Sequence, residues 1–76
     1  MTNDDCLRAT ERITSILGRR THLLQSVELI GKKFLKVVLS MPGDAGVRTF
    51  SSYESFERDV DEWVGAFRQE FERRLN

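Results

Sequence analysis

Hydrophobic residues near the start of the chain recur at intervals of three and four positions. Between Asp4 and Arg20 they fall on one face of a helix, at Cys6, Ala9, Ile13, Ile16 and Leu17. Candidate N-caps stand at the start of this run, at Thr2, Asn3 and Asp4. Gly18, followed by two arginines, is a helix stop signal. The pattern therefore predicts a first helix over residues 4–20.

The pattern then changes to alternation of apolar and polar positions, which indicates strands. Residues 22–30 and 34–41 both alternate, and glycine and lysine residues separate them. Along the first run, the apolar positions of one face are Leu23, Val27 and Leu29. Along the second run, they are Leu35, Val37, Leu39 and Met41. Each run therefore predicts a strand with one strongly apolar face.

The connection between these strands decides their register. Gly31-Lys32 is typical of a two-residue turn, but that turn would place Glu28 opposite Leu35 and mix the two faces. A three-residue loop over 31–33 instead pairs Leu29 with Leu35, Val27 with Val37 and Glu28 with Lys36. This second register gives one apolar face and a cross-strand ion pair, so we predict the three-residue loop.

The remainder of the chain predicts a loop, a short strand and a long helix. Residues 42–46 have the composition of a loop, and residues 47–50 are long enough for a third, edge strand. Ser51 and Glu54 fit a capping box that starts a helix over 52–75. Its apolar stripe, which we interpret as core, comprises Tyr53, Phe56, Val60, Trp63, Val64, Phe67 and Phe71.

These elements predict an α+β fold with the order α-β-β-β-α. We expect a three-stranded antiparallel meander packed against an N-terminal helix and a long C-terminal helix, in one domain over residues 1–76. The order resembles that of the double-stranded-RNA-binding domain, in topology only. That family places a lysine cluster at the start of its second helix, whereas the matching residues 51–57 contain no lysine. The resemblance therefore does not carry RNA binding to this chain.

Composition excludes several classes of protein. Twelve Lys and Arg balance twelve Asp and Glu, so neither a polycation nor a strongly acidic protein is indicated. The single cysteine, Cys6, excludes an internal disulfide framework. The N-terminus has no apolar segment typical of a signal peptide, and no apolar run is long enough to span a membrane. We therefore expect a cytoplasmic protein.

The second face of the sheet is the main candidate for function. It carries apolar residues as well as charged ones, and it is exposed if both helices cover the other face. We expect it to bind another protein or a second copy of the chain, with Phe34 as the anchor. The residues that we assign to this binding surface are Leu24, Glu28, Ile30, Phe34, Lys36 and Val38.

Two alternative surfaces follow from charge. Nucleic-acid binding, which the charge balance disfavours, would use scattered basic residues, namely Arg19, Arg20, Lys32 and Lys33. An acidic face of the last helix, comprising Glu54, Glu57 and Asp61, would instead imitate a phosphate backbone and block a nucleic-acid-binding enzyme.

Catalytic chemistry is not indicated. His22 is the only histidine, and Cys6 lies on the apolar stripe of the first helix, where a thiol is usually inert. No phosphate-binding, dinucleotide-binding or zinc-protease motif occurs. We expect no enzyme activity, no cofactor, no metal, no small-molecule substrate and no membrane partner. The expected function is that of a small interaction module, namely a regulator, adaptor or inhibitor that docks on a larger protein or self-associates.

Overall fold

The computed structural model describes residues 1–75, and Asn76, the last residue of the predicted domain, lies outside the described residues. The first helix, α1, spans Asn3–Leu17. Thr2 caps it, because its hydroxyl accepts a hydrogen bond from the Asp5 amide while the Asp5 carboxylate accepts one from the Thr2 amide. The buried residues of α1 are Ala9, Ile13 and Leu17, on the predicted apolar face.

The predicted first helix extends too far. Gly18 has a φ of 60°, so the α-helix ends at Leu17, and the chain continues as a short 3-10 segment over Gly18–Leu23. Leu23, predicted to belong to the first strand, is fully buried within this segment. The stop signal at Gly18 was therefore correct, and the residues after it form neither α-helix nor strand.

The first two strands, β1 (Leu24–Ile30) and β2 (Phe34–Met41), pair in the predicted register. Leu29 lies opposite Leu35 and Glu28 lies opposite Lys36, across the three-residue loop. The register shifts between Leu24 and Ser26, where β1 carries one extra residue. This bulge places Leu24 opposite Leu39, so Leu24 packs against the core instead of lying on the outer face. The prediction that Leu24 shares a face with Phe34 is wrong for this reason.

The third strand is longer than the sequence predicted. Strand β3 spans Asp44–Phe50, and the residues between β2 and β3 are only Pro42 and Gly43. Gly43 has a φ of 83°, which suits a tight turn with proline before it. The predicted loop over 42–46 is therefore a two-residue turn, and the order β1-β2-β3 confirms the antiparallel meander.

The last helix, α2, spans Tyr53–Leu75. Its cap is Ser52, whose hydroxyl accepts a hydrogen bond from the Ser55 amide at 3.1 Å. The predicted capping box of Ser51 and Glu54 is wrong by one residue, because the helix begins at Tyr53 and the capping hydroxyl is that of Ser52. The apolar stripe is core as predicted: Phe56, Val60 and Val64 are fully buried. The other members, Tyr53, Trp63, Phe67 and Phe71, are partly buried against the core.

Both helices pack on the same face of the sheet. The core comprises residues from α1, α2 and one face of the strands, including Leu35, Val37 and Leu39, which are fully buried. Gly46 on β3 allows this close packing, because a Cβ there would lie 3.3 Å from the Phe67 ring. The α-β-β-β-α order therefore produces two layers, with one face of the sheet left uncovered.

The end of α2 is held by two other elements. Arg68 donates a hydrogen bond to the Ile16 carbonyl near the end of α1, and Arg74 donates one to the Pro42 carbonyl in the β2–β3 turn. The Phe71 ring packs against His22 in the 3-10 segment, with ring centroids 5.5 Å apart. These contacts hold the last turns of α2 against the domain, and Leu75 is the large hydrophobic residue of these turns that remains exposed.

Candidate protein-binding surface

The uncovered face of the sheet is built by alternation along the three strands. Inward residues of β2 are buried, and the residues between them point to the other side. Ile30 and Phe34 lie opposite each other at the end near the 31–33 loop, and Val38 lies opposite Val47 further along. We call this surface the open face; its members are Ser26, Glu28, Ile30, Phe34, Lys36, Val38, Ser40, Ala45, Val47 and Thr49.

Large apolar side chains are exposed on the open face. The exposed fractions are 43% for Ile30, 42% for Phe34 and 56% for Val47. Val38, in the central strand, is half-buried by its neighbours. Five large hydrophobic residues are exposed among residues 1–75, and three of them lie on the open face. The other two, Leu7 and Leu75, lie on helices.

Sequence reasoning found most of the β1 and β2 part of this surface and missed its β3 part, which comprises Ala45, Val47 and Thr49. Of the residues assigned to it, Glu28, Ile30, Phe34, Lys36 and Val38 lie on the open face, and Leu24 does not. Val47 was overlooked because the third strand was predicted over residues 47–50 alone, and no face was assigned to its side chains. An alternation of Ala45, Val47 and Thr49 was the available signal, and it was hidden by the assumption of a loop over 42–46.

A charged pair lies between the two apolar parts of the open face. Glu28 and Lys36 are direct cross-strand neighbours, with Thr49 on the far side of Lys36. The predicted ion pair between them is not formed: the salt bridges of residues 1–75 do not include either side chain. Both charges are therefore available to a binding partner.

The basic residues of the nucleic-acid alternative are divided between two ends of β1. Arg19 and Arg20 lie in the 3-10 segment before the strand, and Lys32 and Lys33 lie in the loop after it. Arg20 is engaged within the domain, since its guanidinium lies 3.7 Å from the Glu72 carboxylate and 5.4 Å from the centroid of the Phe71 ring. The structure does not bring these residues into one continuous basic patch.

The acidic alternative is partly neutralised by α1. Asp61 accepts two hydrogen bonds from Arg12, at 2.6 and 3.0 Å, and Glu57 lies 3.7 Å from Arg8. The hydrogen bond from Arg12 lowers the pKa of Asp61 below its usual value. Glu54 is exposed at the first turn of α2. Ion pairing between the helices accounts for two of the three predicted acidic residues.

A cleft between the two helices belongs to the same ion-pair network. Its volume is about 470 Å³, and it is lined by Arg8, Glu11, Arg12, Tyr53 and Glu57. Arg8 lies over the Tyr53 ring at 4.6 Å, and burial raises the pKa of the Tyr53 hydroxyl. Arg8 of α1 and Glu57 of α2, which line this cleft, form an ion pair across it, so its geometry supports packing of α1 against α2.

Cys6 and His22, the pair considered for nucleophilic catalysis, lie in different surroundings. The Cys6 thiol donates a hydrogen bond to the Val27 carbonyl of β1 at 3.4 Å, and His22 packs on Phe71. Within residues 1–75, no group of three or more His, Cys, Asp or Glu is arranged to hold a metal ion. In the same residues, neither helix combines the length and the apolar character that crossing a membrane requires.

The sequence and structure were compared with protein families, curated proteins and solved structures. No protein-family model matches the sequence, and neither the curated proteins nor the solved structures contain a match.

Proposed function

We propose that this chain is a small, non-enzymatic protein-interaction module and that the open face is its binding surface. The observation that carries this proposal is the placement of both helices on one side of the sheet, which leaves Ile30, Phe34 and Val47 between 42% and 56% exposed. Grouped exposed apolar side chains on a small domain are typical of a surface that is covered in a complex. Binding of this kind serves a regulator, an adaptor or an inhibitor.

Phe34 is the proposed anchor of the interaction. It is the only aromatic residue on the open face, and it lies beside Ile30. Aromatic side chains contribute large binding energies at protein interfaces for little loss of conformational freedom. Glu28 and Lys36 lie next to this pair and would set the orientation of the partner, because neither forms an ion pair within residues 1–75.

The other two candidate surfaces have less support. Partner binding through the acidic face would compete with the ion pairs that join Glu57 and Asp61 to α1. Nucleic-acid binding would rely on basic residues at opposite ends of β1. A cytoplasmic location remains a prediction from the sequence.

Affinity capture tests the proposal. Immobilised wild-type protein is exposed to nuclease-treated lysate from the source organism and to a differently tagged copy of the chain, in parallel with F34D and L7D. Leu7 is the matched control, because it is 63% exposed on α1, away from the open face. We expect a bound protein that the wild type and L7D retain and that F34D loses, while all three have similar thermal midpoints.

Two results contradict the proposal. Retention of the same protein by F34D means that the open face is not the binding surface. Loss of that protein in a variant with Glu57 and Asp61 changed to Lys, together with retention by F34D, assigns binding to the acidic face instead.

A further inference from the structure

The charged side chains of the open face form no ion pairs within residues 1–75, unlike nearly all of the arginines of the domain. Every arginine except Arg19 forms an ion pair within residues 1–75, and nearly all of these pairs join or support the helices. None of the three lysines does so, and one of them, Lys36, lies on the open face directly opposite Glu28. The open face therefore carries one acidic and one basic side chain that are neighbours and that form no ion pair within residues 1–75.

We propose that the occupant of the open face is a second copy of this chain, related by a two-fold axis that runs along the strands between β1 and β2. The inference rests on the proposed function and names its partner. A rotation about this axis places β1 of one copy over β2 of the other, at the same height along the strands. Face-to-face sheets with nearly aligned strands are a common packing, with about 10 Å between the layers.

The register of β1 and β2 makes this arrangement self-complementary. Glu28 and Lys36 are cross-strand neighbours, so the rotation places Glu28 of each copy over Lys36 of the other. Ile30 and Phe34 are also neighbours, so each Phe34 meets Ile30 of the other copy. The same operation therefore forms two intermolecular ion pairs and two apolar contacts.

An axis between β2 and β3 places Val38 over Val47 and Lys36 over Thr49 of the second copy, and so forms no ion pair. Two other kinds of two-fold axis are unfavourable. An axis along the centre of β2 places Lys36 over Lys36 of the second copy. An axis across the strands places Lys36 over Lys36, Val38 or Phe34 of the second copy, depending on its position. These contacts bring like charges together or bury a charge against apolar atoms, and both are unfavourable.

The contact predicts a weak dimer. Strands of seven and eight residues lying side by side span a flat area of roughly 250 Å² per copy. This contact is small beside a standard protein interface, which buries roughly 800 Å² of accessible surface on each partner. The axis also brings the two 31–33 loops to one end of the dimer, where Lys32 and Lys33 of both copies repel one another. We therefore expect association in the concentration range from about 10 µM to about 1 mM.

Complementary single variants test this arrangement by sedimentation velocity. E28K carries lysine at both positions 28 and 36, and K36E carries glutamate at both, so each variant has like charges over like charges and should be monomeric. A mixture of the two restores opposite charges at both contacts. We expect wild type to dimerise, each variant to weaken association at least about tenfold, and the equimolar mixture to recover it.

Mixing separates the intermolecular contact from any effect on the fold, because it does not change the stability of either chain. E11K is the matched control: Glu11 forms no ion pair within residues 1–75 and lies on α1, so its dimerisation should equal that of wild type. F34D should be monomeric, which provides a second variant if a charge reversal lowers stability. Thermal melts of every variant verify that the comparison concerns folded protein.

Three outcomes overturn the inference: wild type that stays monomeric at about 1 mM, a mixture no more associated than its components, or charge reversals without effect on a wild-type dimer. These are distinguishable from failure of the proposed function. If the chain is monomeric but captures another protein in a Phe34-dependent way, the open face remains the binding surface and only the second copy is excluded.

Discussion

Replacing Gly65 with alanine should stabilise the protein. Gly65 lies in the interior of α2, ten residues from its C-terminal end, and a Cβ at this position would meet no atom within 4 Å. Alanine is favoured over glycine in a helix interior by about 0.8–1.0 kcal/mol, because glycine loses more backbone freedom on folding. With no clash to offset this gain, we expect the free energy of unfolding to rise by about 1 kcal/mol. In a domain of this size, that change raises the thermal midpoint by roughly 4–8 °C.

Gly43 provides the matched control. A Cβ at Gly43 also meets no atom within 4 Å, but its φ is 83°, a conformation that alanine adopts with strain. Gly43→Ala should therefore lower stability by about 1 kcal/mol or more, although the added methyl group has space. The pair separates backbone conformation from crowding, because the two sites differ only in the former.

Circular dichroism melts and urea titrations at several protein concentrations measure both changes. An unchanged or lowered midpoint for G65A would refute the reasoning, because it would mean that other atoms approach α2 on this side. A deficit that appears only at high protein concentration would place that contact in an oligomer. Loss of stability at every concentration would instead mean that the surroundings of Gly65 are more crowded than described.

Two further predictions concern the sheet and the end of α2. Leu35→Ala should lower the free energy of unfolding by about 2–5 kcal/mol, because Leu35 is fully buried. Phe34→Ser, at the adjacent position on the open face, should lower it by about 1 kcal/mol. Equal losses of stability in urea titrations would mean that the open face is covered. Hydrogen bonds from Arg73 and Arg74 lower the pKa of Glu70 to about 2, from an ordinary value of 4.5. The stability that Glu70 contributes is therefore fully present above about pH 4.5 and is lost as the pH falls towards 2. Glu70→Gln should be less stable than wild type at pH 7, and the difference should disappear near pH 2; a difference that is constant with pH would contradict the assigned cause.

Local pattern was sufficient for the register of the hairpin and for the buried side of α1, β2 and α2. The register of β1 with β2 followed from matching apolar positions across the loop, because a shift of one residue would have turned Leu35 and Val37 to the other face. The stripe of α2 was likewise core, as its spacing indicated. Both results depend on side chains that are close in sequence, where period and burial are directly related.

Local pattern failed where an irregularity in the chain changed which residues face the core or where an element begins. The bulge in β1 moved Leu24 to the core side, and the turn at Pro42 and Gly43 extended β3 over a segment that composition assigned to a loop. The helix cap shifted from Ser51 to Ser52 for the same kind of reason. The bulge and the cap each involve a shift of one position, and the start of β3 a shift of three, and neighbouring elements decide between the alternatives.

The sequence by itself determined the number, type and order of the helices and strands, and the buried side of α1, β2 and α2. Only the tertiary structure decided that α1 and α2 cover the same face of the sheet, because an amphipathic segment specifies an apolar side without specifying what covers it. The same packing placed arginines between the helices and left Glu28 and Lys36 on the uncovered face, without ion pairs in residues 1–75. The candidate binding surface exists because two helices of this size cover one face of a three-stranded sheet and leave the other exposed.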